Sequence, residues 1–136
     1  MESLKQVGAL PVREGDDGKL LVLLVTSRET RRRVIPKGWP MKSLRDRDAA
    51  AREAEEEAGV KGRVGRKPLG SYSYWKRTAE EFKLIEVDVF VLEVSKEKKT
   101  WPEMKQRERA WLPLRDAADI VQEPGLRELI KSLKQK

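Results

Sequence analysis

The chain has 136 residues and contains neither cysteine nor histidine, and its 30 lysines and arginines outnumber its 23 acidic residues to give a net charge of +7. This length suits one domain, residues 1–136, whose core needs no disulfide or metal. Thiol catalysis, Ser-His-Asp triads and Cys/His zinc sites are excluded, so acid–base chemistry must come from carboxylates, lysine, tyrosine or metal-bound water. The positive charge either favours an anionic partner or only keeps the chain soluble.

The first third of the chain predicts two strands followed by an irregular segment. The strands are residues 6–13 and 20–26, and the turn between them is rich in glycine and aspartate. Residues 20–25 form a continuous apolar run, which is typical of a strand covered on both faces. Residues 34–36 are a short extended piece, and residues 37–44 are a loop.

The middle of the chain predicts a helix followed by a long hairpin. The helix covers residues 46–58, and Gly59 is its C-terminal stop. Residues 63–74 and 82–95 are the two strands of the hairpin. The stretch 87–92 alternates only weakly between polar and apolar residues, so the second strand is expected to be central in the sheet.

The last part predicts a short strand over residues 109–112 and two helices over residues 114–121 and 125–134. The final helix carries an apolar stripe at helical spacing, formed by Leu126, Leu129, Ile130 and Leu133. The expected fold class is therefore α/β (α+β), with a mixed β-sheet between helix 46–58 on one face and the C-terminal helices on or near the other.

Residues 52–60, with the sequence REAEEEAGV, are the most informative stretch. Like charges one turn apart destabilise a helix by roughly 0.2–0.5 kcal/mol per pair, and acidic groups in the last turn face the negative end of the helix dipole. Glu53, Glu56 and Glu57 share one helix face, whereas Glu55 points away and is expected to be solvated. Three oxygen donors on one face suit a hard cation such as Mg²⁺ or Mn²⁺.

The same stretch resembles the signature of the Nudix hydrolase family, in which a glycine and a glutamate precede R-E-U-x-E-E-x-G-U, with U a bulky aliphatic residue. The matching residues are Gly38, Arg52, Glu53, Glu56, Glu57, Gly59 and Val60. Two positions depart from the signature, because Leu44 stands where a glutamate is expected and Ala54 where a larger aliphatic is expected. Within the family, residues 36–40 and 59–66 are most similar to the diphosphoinositol polyphosphate phosphohydrolase group.

The resemblance implies an α/β/α sandwich and a Mg²⁺-dependent enzyme, with Mn²⁺ as an alternative cofactor, that cleaves a diphosphate linkage. The implied metal ligands are Glu53, Glu56 and Glu57. One of them serves as or positions the general base, for which Glu53 is favoured, and Arg52 orients a catalytic glutamate. Family members often recruit a further acidic residue from outside the helix, and the candidates, each otherwise simply solvated, are Glu103 and Glu108.

Basic residues crowd the chain just before the acidic helix, and the candidates to hold phosphate groups are Arg31, Arg33, Lys37 and Lys42. Each of these is equally well explained as a solvated surface residue. Gly38 allows either a tight loop near the phosphates or only an ordinary turn. The aromatic residues that could stack on a base are Tyr72, Tyr74 and Trp75, and at least one of them is expected to pack in the core or at its edge.

The leading hypothesis is an enzyme acting on a nucleoside diphosphate linked to a second moiety, a diphosphoinositol polyphosphate or a dinucleoside polyphosphate. One alternative is a catalytically weak Nudix-fold module that binds nucleotide or RNA, and Leu44 is its only support. A nucleic-acid-binding domain with an accidental acidic helix lacks any recognition motif. We therefore expect a small-molecule polyphosphate as the partner, no nucleic acid and no membrane, with no oligomeric state predicted, and a cytoplasmic location.

Overall fold

The structure is a computed structural model that describes residues 4–133. Its strands are β1 Leu4–Glu14, β2 Leu20–Thr26, β3 Arg33–Val34, β4 Lys37–Gly38, β5 Val60–Val64, β6 Gly70–Arg77, β7 Phe82–Glu97 and β8 Arg109–Pro113. Its helices are α1 Asp46–Ala58, α2 Leu114–Ile120 and α3 Pro124–Ser132. Among these described residues, no helix is both long enough and apolar enough to cross a membrane.

The eight strands form one mixed sheet. The central path runs β3-β2-β1-β7-β5, and β8, β4 and β6 pair with β2, β1 and β7 respectively. β1 and β7 are parallel, with pairs from Leu4 and Ile85 to Val12 and Glu93, whereas the other strand pairs are antiparallel. The apolar strands β2 and β7 each have neighbours on both sides, which confirms the predicted mixed sheet and their central positions.

The core lies in two layers because successive side chains of a strand point to opposite faces. In β2, Leu24 joins the cluster that contains Leu126 and Ile130 of α3, whereas Leu23 joins the cluster under α1. The α1 side of the second cluster consists of Ala49, Ala50, Ala54 and Ala58. Small side chains let this helix lie close to the sheet, and so bring its polar face near β1 and β4.

The predicted hairpin strand 63–74 is wrong, because the structure divides this region into β5 and β6. Both strands pair with β7, β5 near its end and β6 near its start. The break contains Pro68, which has no backbone N–H to donate to a sheet ladder. β7 is therefore long, with 16 residues, because it serves two neighbours in succession.

Two further segments differ from the predictions, and one agrees in full. Residues Lys37–Gly38, predicted as loop, form the short strand β4 against Val7 and Gly8 of β1. The last helix ends at Ser132, and Lys134, which the prediction included, lies outside the described residues. The helix predicted over residues 46–58 is confirmed with the same bounds.

Candidate active site

The last turn of α1 ends in the way that the sequence predicts. Gly59 adopts φ 68°, a left-handed conformation, and its N–H donates to Glu55 O at 3.1 Å. A Cβ at this position would lie 2.7 Å from an Arg109 nitrogen and 2.8 Å from a Trp101 ring carbon. Glycine is therefore required both by the backbone angle and by the residues that pack over the helix end.

Two of the three predicted metal ligands are buried in the C-terminal half of this helix. Glu53 is 9% exposed and Glu57 is 6% exposed, while Glu56 is partly exposed. Gly38 of β4 lies directly against Glu53, and a Cβ on Gly38 would overlap the Glu53 carboxylate. The N–H of Lys37 donates to Glu57 Oε1 at 3.4 Å. The close approach of β4 to α1 thus holds both carboxylates below the protein surface.

Burial above all, together with the charges of Glu56 and Glu103, raises the pKa of Glu53 to about 7, although Arg107 and Arg52 oppose the shift. Burial also raises the pKa of Glu57 to about 7, even though Arg107 opposes the shift. Without a cation, these two carboxyl groups are partly protonated at neutral pH. A bound cation would favour their ionised forms.

The chemistry of these side chains fits a hard divalent cation, since all the donors are carboxylate oxygens. Within residues 4–133, no group of three or more acidic side chains is yet converged closely enough to hold one. Glu56 and Glu103 raise the pKa of Glu53, and Glu103 also raises that of Glu57, so these four residues form the candidate ligand set. Glu53 and Glu57 form the fixed part of that set because they are buried.

Within residues 4–133, Arg52 forms no ion pair with the glutamates, although its charge lowers the pKa of Glu53. Its side chain is exposed, and its NH1 group donates to Met41 Sδ at 3.7 Å. The arginine that reaches Glu57 is Arg107, whose NH2 lies 3.6 Å from Glu57 Oε1. No local sequence pattern points to Arg107, because it lies about fifty positions along the chain from the glutamates, in a short polar stretch without periodicity.

The structure separates the two candidates for a further acidic residue. The charge of Glu103 acts on both Glu53 and Glu57, and its backbone N–H donates to Glu56 O at 3.1 Å. Glu108 instead has a side chain that is 69% exposed and paired with Arg31 at 3.6 Å. Glu103 therefore lies beside the carboxylates of α1, and Glu108 points away from them.

The basic candidates are divided in the same way. Lys37 lies at the site, with its Nζ 5.1 Å from the centre of the Tyr74 ring, and burial lowers its pKa although Glu57 and Glu123 oppose the shift. Arg31 and Arg33 donate to the carbonyls of Gln106 and Glu108, each at 3.2 Å. Lys42 is exposed on the loop before α1.

The predicted aromatic residues take three different environments. Tyr72 is 4% exposed and belongs to the core under α3, which confirms that at least one of them is a packing residue. Tyr74 donates from its hydroxyl to Gln6 Oε1 at 2.8 Å. Trp75 is 58% exposed on the outer part of β6.

Two further residues of the motif region differ from expectation. Glu55 is not simply solvated, because it pairs with Lys98 and with Lys61, and the hydrogen bond from Lys98 holds its pKa below the ordinary value. Leu44, at the position where the signature has a glutamate, packs against the apolar cluster under α1. This position contributes to the core in this chain.

Residues 3–133 match the NUDIX domain family. The chain belongs to this family. It is 40% identical over 106 residues to Nudix hydrolase 12, mitochondrial, of Arabidopsis thaliana, which covers 75% of this chain and 52% of that relative. It is also 31% identical to diphosphoinositol polyphosphate phosphohydrolase 2 of Rattus norvegicus, over 96% of this chain and 70% of that protein. The Arabidopsis protein is thus about twice as long as the segment that it shares with this chain.

The fold is also that of solved Nudix proteins. The crystal structure of a C. elegans Ap4A hydrolase binary complex superposes with a TM-score of 0.68 at 21% identity, over 94% of this chain and 93% of that one. This likeness confirms the α/β sandwich. Nudix proteins generally use divalent metal ions, typically Mg²⁺, which agrees with the carboxylate chemistry of the site described here.

Proposed function

We propose that this Nudix chain, a single domain over residues 1–136, is a Mg²⁺-dependent pyrophosphohydrolase that cleaves a diphosphate linkage. The observation that carries the proposal is the pair of buried glutamates, Glu53 and Glu57, held against β4 with their pKa values raised to about 7. Burying two like charges is costly unless a cation compensates them. The arrangement therefore favours a cation site.

In the proposed reaction, water attacks one phosphorus atom, the bond from that phosphorus to the bridging oxygen breaks, and the bridging oxygen leaves with the other phosphate. Glu53, Glu56 and Glu57 would hold Mg²⁺ or Mn²⁺, which neutralises charge on the phosphate oxygens when it is bound. Glu53 is the proposed general base, which accepts the proton of the attacking water. Arg52 is proposed to orient a catalytic glutamate once substrate is bound.

Lys37 and Gly38 are the proposed substrate contacts that lie beside the glutamates. Lys37 offers a positive charge at the site, and Gly38 lets the backbone of β4 lie directly against the Glu53 carboxylate, where a bound phosphate would also lie. Arg31, Arg33 and Lys42 lie further out and would meet the outer phosphates of a long polyanion. For Arg31 and Arg33 this requires release from the carbonyls that they now bind.

The proposed substrates are nucleoside diphosphates linked to a second moiety, diphosphoinositol polyphosphates and dinucleoside polyphosphates. The similarity to a diphosphoinositol polyphosphate phosphohydrolase supports the second class. Leu44 packs in the core, so this departure from the signature no longer favours a catalytically weak binding module. The proposed location remains the cytoplasm, on the sequence alone, although the Arabidopsis relative is named as mitochondrial.

A substrate panel tests the proposal. The purified protein is incubated with one substrate of each class, with Mg²⁺ and with EDTA, and the released phosphate products are resolved by ion-exchange chromatography. Cation-dependent cleavage of a diphosphate linkage in at least one class is expected, and it should disappear in Glu53→Gln. Tight binding of substrate without any cleavage would favour a binding module instead.

A further inference from the structure

The C-terminal end of α1 is held by a segment that is distant in the sequence. We call residues 98–109 the clasp segment. The last four carbonyls of a helix have no partner within the helix. Here each of them accepts a hydrogen bond at 2.9–3.1 Å. Gly59 N donates to Glu55 O, and Glu103 N donates to Glu56 O. Trp101 Nε1 donates to Glu57 O, and Arg109 NH1 donates to Ala58 O. Three of the four donors belong to the clasp segment.

The clasp segment also supplies the positive charge that the helix itself lacks at this end. α1 has no basic residue in its last turn. Lys98 pairs with Glu55, and Arg109 donates to the carbonyl of Ala58. These cations offset the negative end of the helix dipole and the clustered carboxylates. The last turn of α1 is thus stabilised from outside.

Within the clasp segment, Arg107 alone joins side-chain carboxylates of the site. Its Nε donates to Glu103 Oε1 at 2.8 Å, its NH2 lies 3.6 Å from Glu57 Oε1, and its NH1 donates to Thr26 O at 3.1 Å. The Arg107 side chain is only 11% exposed. Because the guanidinium is planar, these three contacts fix the separation and direction of the two carboxylates relative to β2.

We propose that Arg107 is a positioning residue, whose guanidinium holds the Glu57 and Glu103 carboxylates in place as cation ligands and anchors both to β2. The inference rests on the proposed function, and it assigns to Arg107 a positioning role on Glu57 and Glu103 in addition to the role proposed for Arg52. Residues that orient metal ligands typically change metal affinity or activity by about 10–100-fold when they are replaced. Lysine cannot reproduce the role, because its single ammonium group cannot bind three partners in one plane.

The test compares Arg107→Gln and Arg107→Lys with Arg109→Gln. Arg109 is the matched control: it lies two positions further along, its side chain is 18% exposed, and it binds carbonyls at the helix end and Glu97. For each protein, Mn²⁺ affinity is measured by calorimetry without substrate. The midpoint of thermal unfolding is recorded, and kcat and KM are measured on the best substrate of the panel.

We expect Arg107→Gln to weaken Mn²⁺ binding and to lower kcat by about 10–100-fold each, with a much smaller change in KM. Arg107→Lys should show more than half of this loss on a logarithmic scale, because lysine keeps the charge but lacks the planar guanidinium. Arg109→Gln should lower the unfolding midpoint, while its Mn²⁺ affinity and kcat, measured below that midpoint, stay near those of the wild type.

Several results would overturn the inference. Tighter Mn²⁺ binding by Arg107→Gln would show that Arg107 competes with the cation, and full recovery by Arg107→Lys would show that charge alone matters. Equal losses in Arg107→Gln and Arg109→Gln would show a purely structural role. If Arg107→Gln does not fold, the Arg107→Lys variant tests the inference by itself. An unchanged Mn²⁺ affinity and kcat in Arg107→Lys would show that the planar guanidinium is not needed.

The proposed function can fail separately. A wild type that binds Mn²⁺ but cleaves no substrate of the panel would refute the hydrolase proposal, and the Mn²⁺ affinities of the variants would still decide the role of Arg107. A wild type that binds no Mn²⁺ would refute both.

Discussion

Glu57 illustrates how the fold turns an unfavourable residue into a useful one. It is buried, its charge is opposed by Glu53 and Glu103, and Arg107 and Lys37 compensate it. Glu57→Gln keeps the size of the side chain and removes the charge. We expect Mg²⁺-dependent hydrolysis to fall by about two orders of magnitude or more, because the cation loses a ligand. Stability without metal should hold or rise slightly, since like charges no longer repel each other.

Glu56→Gln should behave in the same way in the hydrolysis assay, and Glu55→Gln is the internal control. Glu55 pairs with Lys98 and Lys61 on the other side of the helix, so its replacement should cost up to about 1 kcal/mol of stability. It should leave the rate unchanged. Full Mg²⁺-dependent activity in both Glu56→Gln and Glu57→Gln would contradict the assignment.

Gly38 gives a second prediction for a single residue. A Cβ at this position would overlap the Glu53 carboxylate, so Gly38→Ala must displace Glu53 or β4. We expect kcat to fall by about 10-fold or more, since a displacement of about 1 Å at a catalytic group can cost 10²-fold. Circular dichroism and thermal unfolding should show that the fold remains.

Gly65→Ala is the control for Gly38→Ala. The nearest atom to a Cβ at Gly65 is Lys67 O at 3.6 Å, an ordinary contact, so neither activity nor stability should change measurably. A normal rate in Gly38→Ala would mean that the contact with Glu53 does not matter for the reaction.

For single elements, the sequence predicts what depends on local pattern. α1 has its predicted bounds because strong helix formers precede an acidic turn and a glycine stop. The break between β5 and β6 was not predicted, since both strands pair with one long partner whose length only the assembled sheet sets. For the same reason, local sequence patterns predict neither the contact of Arg107 with Glu57 nor the pair of Glu55 with Lys98, because no local periodicity brings distant residues together.

The end of α1 gives a prediction for an element. Gly59→Ala should destabilise the protein by more than the roughly 1–2 kcal/mol that a left-handed conformation costs an alanine, because the new Cβ also displaces Trp101 and Arg109. Gly18→Ala is the matched control, since Gly18 has a similar φ of 77° but no atom within 4 Å of a new Cβ. Urea unfolding measures the stability of both variants. Equal losses of stability would show that Trp101 and Arg109 of the clasp segment do not restrict the space at Gly59.

For the whole molecule, the sheet is the element that assembles the site. β4 brings Lys37 and Gly38 to α1 because it pairs with β1, and β2 carries Thr26, the anchor of Arg107. The buried alanines of α1 pack in the cluster that contains Leu23, and Glu53 and Glu57 of the same helix lie against β4. Burial of these carboxylates costs folding free energy, and that cost should be visible in the pH dependence of stability.

The sign of that dependence follows from the two raised pKa values. Glu53 and Glu57 have pKa values of about 7 in the folded state against 4.5 as the reference, so between these values the folded state binds more protons than the unfolded state. The free energy of unfolding should therefore fall as the pH rises from 4.5 to 7, and stay low above pH 7. At about 1.4 kcal/mol per pKa unit, each of the two groups should contribute up to about 3 kcal/mol.

The measurement is urea unfolding of the metal-free protein from pH 5 to pH 8, compared with the double variant Glu53→Gln/Glu57→Gln. The difference in unfolding free energy between the two proteins isolates these groups from all others that titrate. The variant should gain stability relative to the wild type as the pH rises, and saturating Mg²⁺ at pH 8 should stabilise only the wild type. Glu55→Gln should differ from the wild type by a constant amount over this pH range, because the pKa of Glu55 is lowered from 4.5 and its contribution is lost only below that value. A flat difference between the wild type and the double variant would mean that the two carboxylates are solvated in the folded protein, and it would remove the physical basis of the proposed cation site.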